Sequence, residues 1–136
     1  METARIAISA NTGHLVVSTL HTLDAKETIT GIIGPWGVVS QRLVNTTDGK
    51  RIPAVEVMKW TKIVSELIVE NRDNEILDSI ASGKEIYGSQ SFDQSLFELY
   101  SGGKINKSTM FRYATNKSNM SLRTKKKAKI YFLNTF

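Results

Sequence analysis

The sequence predicts a mixed chain: an α/β segment over residues 1–59, an all-α segment over residues 60–116, and a basic tail over residues 117–136. Three observations carry that division. Runs with the composition and spacing of strands (HLVVSTL, VVSQRLV and PAVEVM) all fall before residue 60. From Thr61 onward the apolar residues recur every three or four positions instead, the period of a helix face. The charge is also uneven. The chain is +5 overall, yet Lys117, Arg123, Lys125, Lys126, Lys127 and Lys129 lie in the last stretch without any acid, so the preceding residues are close to neutral. A hydrophobic content of 40% with 23% charged residues suits one globular domain or two small ones.

Met1 to Ala10 reads as a short helix, with Ala4, Ala7 and Ala10 repeating every three residues, and Gly13 suits the position just past its end. His14 to Leu20 follows as a near-continuous apolar run, the pattern of a strand in a parallel sheet covered on both faces. Asp24 and Glu27 have the spacing of a capping box, which starts a helix running to Ile33, and Gly34-Pro35 stops it. Val38 to Val44 is a second strand. Asp48-Gly49 marks a hairpin turn, and Pro53 to Met58 returns as an edge or near-edge strand, with Glu56 between Val55 and Val57 facing solvent.

In the all-α segment, Thr61 is a fitting N-cap for a helix whose face is Ile63, Val64, Leu67 and Ile68. Ile76, Leu77, Ile80 and Ala81 mark a second helix closed by Gly83. Ser91 and Gln94 form a capping box that opens a third, through Phe92, Leu96, Leu99 and Tyr100, and Gly102-Gly103 ends it. Asn106 caps a fourth, containing Met110, Phe111 and Ala114. Residues 117–136 show no clear element and read as a solvated extension or as a contact for nucleic acid or acidic lipid heads. Tyr131, Phe132 and Phe136 are too few for a base-stacking platform, so no nucleic-acid partner is expected.

Several function classes are excluded or disfavoured. No apolar run approaches the roughly 20 residues of a membrane-spanning helix. No basic-then-apolar leader stands at the N-terminus, so export by a signal peptide is not expected. Without cysteine there is no disulfide framework and no Cys-ligated zinc, which fits a reducing, cytoplasmic setting. The sequence contains no GxxxxGK[ST], GxGxxG or HExxH.

The reactive groups of the α/β segment are sparse. His14 and His21 are separated by an odd number of positions, so on one straight strand they point to opposite faces and do not form a metal clamp. His21 stands at the carboxyl end of a parallel strand, where open α/β sheets hold ligands. Two roles are open to it there: acting on a phosphate or water, or hydrogen-bonding between sheet and helix. Thr19 and Thr22 place hydroxyls on either side of it, or serve only as strand and turn residues. Arg42 is a charge in a run otherwise suited to burial, so it must meet an acid or face a site.

The string TGHLVVSTLHT (Thr12 to Thr22), preceded by ETARIAISAN, closely resembles the histidine box of the PilT-type retraction ATPases of type IV pili, in the secretion ATPase superfamily. The likeness continues through VVSQRLV, DGKRIPAVEVM, the SELI helix, YGSQSFDQSLFELYSGGKI, and the ATN and LR of Ala114 to Asn116 and Leu122-Arg123. The resemblance implies a truncated C-terminal portion of a RecA-like core followed by a small helical C-terminal domain. It implies a cytoplasmic homo-hexameric motor that hydrolyses ATP with Mg2+ and works peripherally at the inner membrane, against the pilus platform. His14 and His21 match the histidines of the box, and Gln41 and Arg42 match the family's SQRL segment. Thr19, Thr22 and Arg42 are then the candidates nearest the nucleotide, and no residue is assigned to the metal.

The sequence also departs from the family. It reads ISANTG where the family has an extra alanine, and GPWG stands in place of a longer turn and helix. The segment KIVSELI lacks the arginine of the corresponding family helix, and the basic end after Lys125 is atypical. The P-loop and the Walker B acid are not among these residues. Positioning and charge neutralisation provide nearly all of phosphoryl-transfer catalysis, so the chain alone is expected to be inactive and to bind neither ATP nor Mg2+. The alternative expectation is a non-catalytic adaptor that docks on a full-length pilus or type II secretion ATPase. A partial RecA-like sheet is further expected to leave an open strand edge and an apolar patch.

Overall fold

A computed structural model of the chain describes residues 37–133. The expected N-terminal helix, the strand His14 to Leu20, the helix from Asp24 and its Gly34-Pro35 stop lie outside the described residues. The described residues form two compact units. One takes residues up to Arg42 together with Val55–Ser91; the other takes Leu43–Ala54 together with residues from Phe92 onward. The units therefore interleave along the chain, whereas the periodicity of the sequence marks consecutive segments.

Strands β1 (Gly37–Asn45) and β2 (Arg51–Lys59) pair as a hairpin. Its turn is built as the Asp48-Gly49 signal requires. The Thr46 amide donates to the Lys50 carbonyl at 2.9 Å, and the Gly49 amide donates to the Thr46 carbonyl at 3.2 Å. The Thr46 hydroxyl donates to the Asp48 carboxylate, and this bond holds the Asp48 carboxyl below its ordinary range. Because Thr46 faces Lys50, even-numbered residues of the two strands share a face. On β2 the buried positions are Ala54, Glu56 and Met58.

Glu56 thus corrects the sequence reading: it does not face solvent but is 1% exposed. Period-two alternation is present, but Met58 and Ala54 set the inward phase, and Val55 and Val57 take the other face, half-buried. No buried side-chain nitrogen or oxygen among the described residues lacks a hydrogen-bond partner, so the Glu56 carboxylate is satisfied.

In the first unit, α1 (Lys62–Val69) begins at the expected cap. The Thr61 hydroxyl accepts from the Val64 amide at 3.2 Å. It ends at Asn71, which takes the left-handed conformation with φ 57°. The Asn71 amide donates to Ile68 O at 3.1 Å and the Arg72 amide to Leu67 O at 2.8 Å, the paired closure of a Schellman motif. After a 3-10 turn at Asp73–Glu75 comes α2 (Ile76–Ser82). Gly83 ends α2 as expected, but at φ −77° and so not through handedness. Close approach is the reason for glycine there: a Cβ would meet the Ser79 carbonyl oxygen at 3.1 Å and the Tyr87 ring at 3.3 Å. A single further turn, α3 (Lys84–Tyr87), follows. Met58, Val64, Leu67, Ile76 and Ile80 form the core of this unit, with Val38, Trp60, Ile68 and Leu77 packed around it.

In the second unit, α4 (Phe92–Ser101) closes on Gly103 at φ 70°. The Gly103 amide donates to Tyr100 O at 3.0 Å and the Lys104 amide to Leu99 O at 2.9 Å, a second Schellman closure. Asn106 caps α5 (Lys107–Tyr113), its side-chain oxygen accepting from the Thr109 amide at 2.8 Å. The core is Val44, Ala54, Phe92, Leu96, Ile105, Met110 and Met120.

The basic stretch is not a bare extension: Lys117–Leu133 form a helix, α6. Lys, Arg, Met, Leu and Ala all favour helix, and Met120, 1% exposed, anchors the element in the core. The sequence pattern hid it because one buried residue per several turns leaves almost no apolar periodicity to see.

Two outcomes follow from this packing. Glu56→Ala is expected to lower stability by about 2–5 kcal/mol in urea unfolding, since it truncates a buried residue and strands its partner. A change within about 0.5 kcal/mol would return Glu56 to the surface. On the first unit, the Arg72 guanidinium donates to Glu75 twice at 2.7 Å and to Glu70 at 2.7 Å, and the Arg72 bond pulls the Glu75 carboxyl below its ordinary 4.5. A depressed carboxyl stabilises the fold above its unfolded value and loses that contribution as pH falls through the folded one. The difference in melting temperature between wild type and Glu75→Gln should therefore be present at neutral pH and shrink on acidification below about 4.5.

Candidate functional site

Of the residues singled out for chemistry, His14, Thr19, His21 and Thr22 lie outside the described residues. Arg42 is described. It stands on β1, half-buried, on the inward-phase face shared with Ser40 and, across the hairpin, with Glu56. The residue is not without a partner.

The best-defined polar construction beside β2 comes from the segment Tyr87 to Gln94. The Val57 amide donates to Gln90 O at 2.7 Å and the Gln90 amide donates back to Val57 O at 2.8 Å. The Gln90 side chain donates to Val55 O at 3.0 Å, and its amide oxygen lies 3.5 Å from Lys84 Nζ. The Lys59 amide donates to the Ser89 hydroxyl at 3.3 Å. Ser89 is 3% exposed. Gln90 thus extends the sheet by a single bridge and, with Ser89, supplies partners to β2 between Val55 and Lys59, so this part of β2 is less of an edge than the hairpin alone implies. Sequence reasoning passed over Ser89 and Gln90. Their polarity reads as a linker, and only their position after the αL glycine Gly88, φ 70°, hinted that the chain turns back there.

Asp93, in the second unit, was also passed over. Its two carboxylate oxygens accept from the Thr115 amide at 2.7 Å and the Asn116 amide at 2.8 Å. The Asn116 side chain in turn accepts from the Asn119 amide at 2.9 Å. Together they satisfy donors at the start of α6, where a negative charge is also favoured by the helix dipole. The signal was available as an Asn at N-cap spacing before a helix-forming run, but no apolar period followed to prompt it.

Among the described residues no three His, Cys, Asp or Glu side chains are grouped to hold a metal ion. No helix among the described residues is long and apolar enough to cross a membrane.

Residues 1–49 match the family described as Type II/IV secretion system protein. The chain is 34% identical over 139 aligned residues to a twitching motility protein of Neisseria gonorrhoeae, covering 88% of this chain and 37% of that one. To the type IV pilus retraction ATPase PilT of Pseudomonas aeruginosa it is 31% identical over 125 residues, covering 79% and 36%. A crystal structure of the pilus retraction motor PilT with bound ADP superposes with a TM-score of 0.69 at 27% identity, over 85% of this chain and 37% of that one. The Legionella pneumophila ATPase DotB, at 22% identity and a TM-score of 0.57, shares the fold. The chain belongs to the secretion ATPases. Within them it is of the PilT type, and it spans a little over a third of the length of the curated relatives it matches. The mixed α and β architecture expected from the sequence agrees with the corresponding part of the PilT fold.

Asp93→Ala should loosen the start of α6. Hydrogen exchange at the Thr115 and Asn116 amides is expected to accelerate, with a stability loss of about 1.5–3 kcal/mol for bonds to a charged acceptor. Unchanged protection at both amides would remove Asp93 from this role.

Proposed function

We propose that these residues serve as part of a type IV pilus retraction motor, in a homo-hexameric ring that turns over ATP with Mg2+ and works in the cytoplasm against the inner-membrane pilus platform. The observation that carries this reading is the extent of the likeness. Sequence similarity covers 88% of the chain for a twitching motility protein and 79% for a retraction ATPase, well beyond the stretch matched by the family. On this reading residues 1–59 contribute to a RecA-like core and residues from 60 onward to the C-terminal domain. His14 and His21 link the nucleotide to neighbouring groups, with Thr19, Thr22 and Arg42 close by. The outward side of β1, where Val39 is 71% and Leu43 53% exposed, supports packing of the hairpin against further protein.

The chain has no GxxxxGK[ST] and so offers no backbone nest or lysine for a triphosphate. By itself it does not hydrolyse ATP on this proposal. Purified chain with MgATP should release phosphate no faster than buffer, and steady release proportional to chain concentration would overturn the point. The motor reading is tested separately by substituting this chain for the matching segment of the Pseudomonas aeruginosa retraction ATPase. The chimaera should hydrolyse ATP, and His21→Ala within it should reduce turnover by about 100-fold, the scale of a proton-handling group. An assembled chimaera whose activity is indifferent to His21 would contradict the assignment.

A further inference from the structure

Helix α6 carries Arg123, Lys125, Lys126, Lys127 and Lys129 with no acid between Lys117 and Leu133. These cations do not all look the same way. Lys127 is turned inward: its Nζ lies 5.7 Å from the Tyr100 ring centroid and 6.0 Å from that of Phe97, and donates to the Ser101 carbonyl at 3.4 Å. There it binds the open carbonyl end of α4 and is half-buried. Lys125, Lys126 and Lys129 are exposed.

Two aliphatic residues share that outer flank. Leu122 is 68% and Ile130 50% exposed, and they stand four residues either side of Lys126, one helical turn above and one below. Beside them opens a groove of about 420 Å3, lined by Phe97, Ser101, Arg123, Lys126, Lys127 and Ile130. The floor is apolar and the rim cationic.

We propose that this flank of α6 is a contact for an anionic lipid bilayer. The combination selects that occupant. Lysine stems lie along apolar surface and lift their ammonium groups to the level of lipid phosphates, while Leu122 and Ile130 enter the acyl boundary beneath. A nucleic-acid duplex would use the cations but gives two exposed aliphatic side chains nothing to bury against. The groove matches the same chemistry on a smaller scale, with Arg123 and Lys126 for a headgroup phosphate and Phe97 and Ile130 for the first methylenes. The inference rests on the second unit alone, so it stands or fails independently of the motor reading.

Vesicle flotation of the full 136-residue chain tests it, with phosphatidylcholine alone against vesicles containing about 30% phosphatidylglycerol. The chain should float only with the anionic vesicles, and less as salt rises. Lys125→Ser, Lys126→Ser and Lys129→Ser should each weaken partitioning about fivefold. Leu122→Ser with Ile130→Ser should weaken it about tenfold at unchanged charge, with the helical circular-dichroism signal intact because both side chains are exposed. Absence of flotation, equal flotation with neutral vesicles, or indifference to the aliphatic pair overturns the proposal. So does a DNA duplex that binds as tightly per phosphate and ignores Leu122 and Ile130, which would assign the surface to nucleic acid.

Discussion

Strand alternation is the constraint on which the described structure rests. On β2, side chains at Ala54, Glu56 and Met58 must share one side because the backbone pleat allows no other choice. Met58 enters the core of one unit and Ala54 that of the other, so a single nine-residue strand supplies both. A slip of one residue would turn out both apolar contacts at once and bring Val55 and Val57 inward in their place. The bridge from Val57 to Gln90 and the hydrogen bond from the Gln90 side chain to Val55 pin the strand from its other edge, and so fix that phase.

The sequence disclosed the elements whose ends are chemically marked. Thr61 and Asn106 accept from the third amide beyond them, and Gly103 takes the left-handed position, because these are local events that a few neighbouring residues decide. The hairpin was equally legible, since Asp48-Gly49 sits between two alternating runs. What stayed hidden depends on contacts distant in sequence. Glu56 alternates with two valines, and nothing nearby says which phase is inside; Met58 and the helices beyond it decide. Helix α6 is held by Met120 and by a carboxylate more than twenty residues earlier, and neither leaves a periodic trace.

The candidate site divides in the same way. Residue types and spacing alone leave His21 between two roles and offer Thr19 and Thr22 only as neighbours. The whole string from Thr12 to Thr22, taken with the segments that follow it, is what identified the family. A few reactive side chains underdetermine chemistry, whereas a long run of backbone-shaping residues constrains ancestry. Arg42 stands between the two kinds of argument: burial cost calls for an acid or a site beside it, and the fold gives it a half-buried place on the face it shares with Ser40 and Glu56.

The cores hold a last consequence. With no cysteine in the chain, sulfur enters these interiors only as thioether: Met58, Met110 and Met120 are each at most 2% exposed. Such side chains fill irregular space without a fixed shape, and oxygen transfer to any of them would lodge a polar sulfoxide where no water reaches. Because a peroxide meets those sulfur atoms only when the surrounding helices part, the pace of sulfoxide formation is a built-in clock for breathing of each core.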